Sequence, residues 1–149
     1  MSVSVKPIQL WRRELENRPG ELALVLEPLA EVGADLRIVM GYRYPGNESR
    51  AAVELFPIRG KKATAAASQA GLTAGQIAAL LVRGDSKPGV GHAITRALAD
   101  AGINLDFLVG QQIGGRFAFV LGFDNDEQTA KAAEIIADAT GKKKKKKKK

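Results

Sequence analysis

The spacing of apolar positions changes period several times along the chain. Leu22, Val25, Leu26, Leu29 and Val32 fall three and four residues apart, which predicts a helix with one buried face. Pro28 lies inside that helix and should loosen it, and Gly33 ends it. Leu36, Ile38, Met40 and Tyr42 then alternate, the period of a strand. Pro45-Gly46-Asn47 is a turn, with a returning strand from Arg50 to Ile58. Lys61 to Ala70 reads as an alanine-rich helix stopped by Gly71. Ahead of these elements, an apolar stretch containing Ile8, Leu10 and Trp11 predicts one strand within residues 5–15.

The same series then recurs. Ile77 to Val82 predicts a strand, and Val90, Ile94, Ala97, Leu98 and Ala101 predict a helix closed by Gly102. Leu105, Phe107 and Val109 alternate, Gly114-Gly115 turns the chain, and Phe117 to Phe123 returns. Asp124, Asn125 or Asp126 caps a last helix carrying Ala132, Ile135, Ile136 and Ala139. The recurrence extends to residue identity. Residues 18–36 (RPGELALVLEPLAEVGADL) and 87–105 (KPGVGHAITRALADAGINL) share six of nineteen positions at a constant offset of 69.

Each copy therefore reads strand, helix, strand, strand, helix. Leu72 to Val82 could close the first copy and open the second as one long strand, completing a βαββαβ unit. The expected fold is α+β: two ferredoxin-like units packed together, each an antiparallel sheet with helices on one face. The boundaries are 1–74 and 75–141, with a lysine tail at 142–149. No fourth strand is visible for the second unit. Units of about 70 residues bury only about 60% of their unfolded surface, which favours packing of the two copies. Aligning Phe123 with Phe56 makes the second hairpin two residues shorter. It also matches Ala118, Val120 and Gly122 to Ala51, Val53 and Leu55. If that small-residue face meets the helices, Phe117, Phe119, Leu121 and Phe123 form an apolar row on the open face, suited to self-association or a partner.

Charge changes this picture little. The net charge of +7 comes from eight consecutive lysines at 142–149. Without them, 15 basic residues stand against 16 acidic ones. Such a run repels itself and buries nothing, so it is expected to be disordered. It reads either as a tether to nucleic acid, anionic lipid or another polyanion, or as a solvated terminus. No run of 18 apolar residues predicts a membrane span, and the N-terminus lacks the apolar core of a signal peptide. The chain has no cysteine, which removes thiolate chemistry and fits a cytoplasmic location.

The repeated motif is a strand, then an Asn or Asp two or three residues ahead of Pro-Gly, a helix, G-(I/A)-(N/D)-L and another strand. It occurs as Asn17 to Gly20 with Gly33-Ala34-Asp35-Leu36, and as Asp85 to Gly89 with Gly102-Ile103-Asn104-Leu105. This pattern resembles the ACT domains, amino-acid-sensing regulatory modules. The second copy is similar to those of aspartate kinases, the first to those of phosphoglycerate dehydrogenases. The resemblance implies a small amino acid held at an interface between two modules. One wall would be the loop before the first helix, made of Asn17, Arg18 and Gly20 in one copy and Asp85, Ser86, Lys87, Pro88 and Gly89 in the other. The second wall would be the start of the next strand of the neighbouring module, at Asp35 or at Asn104 and Leu105. It further implies a homo-oligomer, such as a dimer, or a regulated enzyme as partner. Elementary chemistry supports the placement. Free N–H groups at a helix start suit a carboxylate, glycine lets the backbone approach, and Asn, Asp and Ser can accept from an ammonium group. The same residue types also serve as ordinary caps and turns. Leu15 replaces the histidine of the dehydrogenase-type pattern, which moves the expected site to the second copy.

Other chemistry is not expected. His92 is the only histidine, lies opposite the apolar stripe of its helix and reads as a surface residue. No metal set, cofactor loop or catalytic combination is predicted. Arg116-Phe117-Ala118-Phe119-Val120 partly resembles the aromatic strand of an RNA-recognition motif, but Ile77 to Val82 holds no companion aromatic. The competing class is a structural adaptor tethered through the lysine tail.

Overall fold

A computed structural model describes residues 3–142. The expected tail lies, from residue 143 onward, outside the described residues. The elements run β1 (Val3–Ile8), β2 (Trp11–Glu16), α1 (Glu21–Glu31), β3 (Ile38–Tyr44), β4 (Asn47–Phe56), α2 (Gly60–Gln69), β5 (Thr73–Ala74), β6 (Ala79–Asp85), α3 (Val90–Asp100), β7 (Phe107–Ile113), β8 (Arg116–Gly122) and α4 (Asp126–Ala137). A π-helical turn, Asp138–Lys142, follows. The chain divides into two compact modules, Gln9–Gln76 and the residues on either side of it.

The first module is a four-stranded antiparallel sheet ordered β3-β4-β2-β5, with α1 and α2 against one face. Val25 and Leu29 of α1 are fully buried against Leu15, Val53 and Leu55, while the small Ala66 and Ala67 let α2 sit close. Of the helical stripe anticipated from spacing, Val25 and Leu29 are buried and Leu26 partly so, whereas Leu22 and Val32 are exposed, and α1 continues through Pro28. The second module has the equivalent sheet, ordered β1-β6-β8-β7, with α3 and α4 on one face. Its core joins Leu80, Val82, Ile94, Leu98, Phe117, Leu121 and Ile136.

The missing fourth strand of the second module is β1. Residues 3–8 pair along β6, from Val3 opposite Gly84 to Ile8 opposite Ala79. Residues 5–15 are therefore not one strand: β1 and β2 belong to different sheets, and the first module starts at Gln9, not at residue 1. The physical reason is the period-2 pattern of Val3 and Val5, which pack onto the second core. Pro7 is compatible because β1 is an edge strand, where a missing donor leaves no ladder bond unmade. Leu72 to Val82 is likewise not continuous. β5 ends after two residues, and the chain turns before β6 enters the other sheet.

The aromatic row is also corrected. Trp11 faces Leu55 in one sheet, and its counterpart 69 residues on, Leu80, faces Leu121 in the other. The returning strands are thus offset by 66, and the first hairpin absorbs three extra residues at an irregularity between Arg43 and Tyr44. Phe117, Phe119 and Leu121 correspond to Ala51, Val53 and Leu55, so the row faces the helices. A register error of one residue exchanges every side chain between faces. Gly110 makes room for this packing, because a Cβ there would run into the Phe119 ring. With Phe117 only 3% exposed, the aromatic strand offers no platform for stacked bases.

The start of α4 anchors the segment leading into β6. Asn125 caps the helix by accepting from the Gln128 amide at 2.8 Å. Asp126 accepts from the Ala78 amide at 3.0 Å, and the buried Thr129 hydroxyl donates to the Ala78 carbonyl. Replacing Asn125 by Ala is expected to cost about 1 kcal/mol, readable in chemical denaturation.

Candidate ligand-binding site

Residues 85–89 carry the chain from the end of β6 into α3. Asp85 closes β6 opposite Arg116, whose Nη1 donates to its carboxylate at 2.7 Å. The Ser86 amide donates to the Gly115 carbonyl at 2.8 Å, fastening the loop to the β7–β8 hairpin. Gly89 precedes α3 with φ 86°, a left-handed conformation that a side chain would strain. Val90 and Ala93 donate to Lys87 and Gly89. The next two amides, of Gly91 and His92, lie in the first turn of α3, where a helix supplies no acceptor of its own. No acidic side chain occupies the first turn of α3. His92 is exposed.

The first copy repeats this geometry but spends its polar groups internally. The Asn17 amide donates to the Ser49 carbonyl and its side chain to the Glu48 carbonyl, both on β4. Arg18 is paired with Glu16 at 3.1 Å and with Glu21 at 2.9 Å. Gly20 is left-handed, with φ 91°, but Glu21 already places a carboxylate in the first turn of α1. That charge satisfies the positive helix end locally. Position 21, equivalent to Val90, is the sequence signal separating the two loops.

The second wall lies elsewhere. Asn104 and Leu105 connect α3 to β7, at the opposite end of α3 from Asp85 to Gly89. Eleven residues at about 1.5 Å each put the two ends roughly 16 Å apart. Within one module, the sequence-predicted residues therefore do not converge. Leu105 packs against the core, while Asn104 is exposed with no side-chain partner among the described residues. Asp35, its counterpart, is exposed and lines a cavity of the first module.

A polar network on the helix-free face of the first sheet was not anticipated. Arg12 donates to the Tyr44 hydroxyl, which donates to Glu14 at 2.7 Å, and Arg50 donates to the same carboxylate at 2.8 Å. Tyr42 donates to the buried Glu54 at 2.5 Å. Burial, reinforced by Glu54, pushes the Tyr42 hydroxyl up to about 12. The Tyr44 hydrogen bond, with Arg50, holds the Glu14 carboxyl below its ordinary value. Each member is satisfied, so the network braces the sheet. Arg116 was also missed, because its approach to Asp85 depends on the β6–β8 register. Among the described residues no group of three His, Cys, Asp or Glu is placed to hold a metal, and no helix is long and apolar enough to cross a membrane.

No family model matches the chain, and no curated protein matches it. Solved structures do. Protein BT0572 from Bacteroides thetaiotaomicron superposes with a TM-score of 0.72 at 15% identity, over 87% of this chain and 88% of that one. The regulatory subunit of aspartate kinase from Thermus thermophilus, in ligand-free form, gives 0.61 at 20% identity, over 93% and 96%. Aspartate kinase from Clostridium acetobutylicum gives 0.56 at 14% identity, over 94% of this chain but 34% of the enzyme. The likeness is one of fold: two modules in tandem, each a four-stranded antiparallel sheet with two helices on one face, the first βαββαβ in chain order and the second completed by β1.

Proposed function

We propose that this protein is a non-catalytic cytoplasmic sensor that binds a small amino acid and passes the signal to a second copy of itself or to a regulated enzyme. The ligand carboxylate meets the free amides at the start of α3, and Asp85 and Ser86 lie beside it. Asn104 of a neighbouring module supplies the opposite wall. The observation that carries this reading is the pair of unfilled half-sites in the second module. Among the described residues, a helix start without an acidic residue and an Asn104 without a side-chain partner stand a full helix length apart, so one module cannot close the site alone. The fold shared with regulatory subunits of aspartate kinase supports the regulatory role.

A thermal-shift screen over the twenty amino acids tests it. A ligand at 100 times its Kd should stabilise the protein by about 2.7 kcal/mol. Asp85→Ala with Asn104→Ala should erase that shift with little change in the free protein, because the exposed Asp85–Arg116 pair is worth only about 0.2–1 kcal/mol. Absence of any response would favour the adaptor reading instead.

A further inference from the structure

The first module contains a cavity of about 410 Å3 that the amino-acid reading leaves unused. Three segments build its charged wall: the α1–β3 connection with Asp35 and Arg37, the β4–α2 connection with Arg59, and the first turn of α2 with Lys61 and Lys62. Four cations thus surround one carboxylate. None of the four makes an ion pair or side-chain hydrogen bond among the described residues, whereas Arg12, Arg18 and Arg50 of the same module are all paired with glutamates. Like charges around a concavity with low-dielectric walls focus a positive potential within it. Lys61 and Lys62 also stand at the positive end of the α2 dipole, where no acidic residue and no side-chain cap offsets them. All four side chains reach solvent and are free to converge on a multiply charged anion in the cavity.

We propose that this cavity binds a small phosphate-bearing ligand through a diphosphate group. The planar forks of Arg37 and Arg59 match phosphate oxygens in bidentate fashion, and the two lysines add point charges. A singly charged carboxylate would leave most of the positive charge uncompensated. The cavity shares only Asp35 with the residues that the resemblance implies for the amino acid, and none with the second-module site proposed above.

The test is an NMR titration of the full-length protein with inorganic pyrophosphate at constant ionic strength. Saturable shifts of the Gly60 to Ala63 amides are expected, distinct from any response of the lysine run. Arg59→Ala with Lys62→Ala should weaken binding by about tenfold for each cation removed. Lys61→Glu with Lys62→Glu should abolish binding yet raise the Tm of the free protein, the opposite of what a purely structural need for these lysines would produce. Shifts confined to the lysine run, unchanged affinity in the arginine–lysine variant, or equal affinity for citrate would each overturn the assignment.

Discussion

A chain beginning at Gln9 is expected to lose the second module while keeping the first. β1 is the fourth strand of that module, and its removal strips β6 of a six-residue antiparallel ladder. It also uncovers Val3 and Val5 contacts on the core and the burial of Ile8. Full burial of each such side chain is worth about 1.5–3 kcal/mol, so the loss is about 4–6 kcal/mol with partial burial counted. A module of this size has only about 4–10 kcal/mol to lose at typical stability per residue. Amide hydrogen exchange should show protection lost along β6, α3 and β8 but retained in α1 and β4. A synthetic peptide of residues 1–8 should restore that protection in trans. Equal loss in both modules, or none in the second, would contradict the strand assignment.

Phe117→Ala is expected to cost about 3–5 kcal/mol, the usual penalty for emptying an aromatic site in a packed core. The ring is 3% exposed, between Gly84 beneath it and the Phe119 ring 5.3 Å away. Ile113→Ala provides the contrast: it is 69% exposed on the neighbouring strand and should change stability by about 0.5 kcal/mol or less. Urea unfolding of the two variants reads the difference directly. Comparable small effects would return Phe117 to the open face.

That second experiment addresses the point where sequence reasoning went astray. Copies matched by their most visible landmarks, Phe56 and Phe123, are aligned one residue from the pairing that forms. The extra residues sit in a bulge of the first hairpin, and nothing in composition marks where a bulge falls. Pairing partners are set by contacts across the sheet, so the landmark alignment reversed the faces although the strands of both hairpins were anticipated. The ligand loops were legible for the opposite reason. Their signals are local: a glycine that must be left-handed before a helix, and polar residues at fixed distance from it. Legibility ended where those polar groups find partners. That Asn17 and Arg18 are spent on Glu48, Glu16 and Glu21 is a tertiary fact for the first and a short-range pairing for the second.

Local periodicity and turn chemistry by themselves determined the four helices, the internal repeat, the α+β class and the two glycine-led loops. These depend on interactions within a few residues of chain, which a sequence records directly. Only the tertiary structure decided which sheet receives residues 3–8, which face the phenylalanines take, and that the two walls of the expected site stand at opposite ends of α3. Those outcomes depend on hydrogen-bond register and on contacts between segments far apart in the chain. A strand carries its own alternation, but its partner is settled by the edge left open for it, and here the edge of β6 is filled by residues more than seventy positions earlier in the sequence.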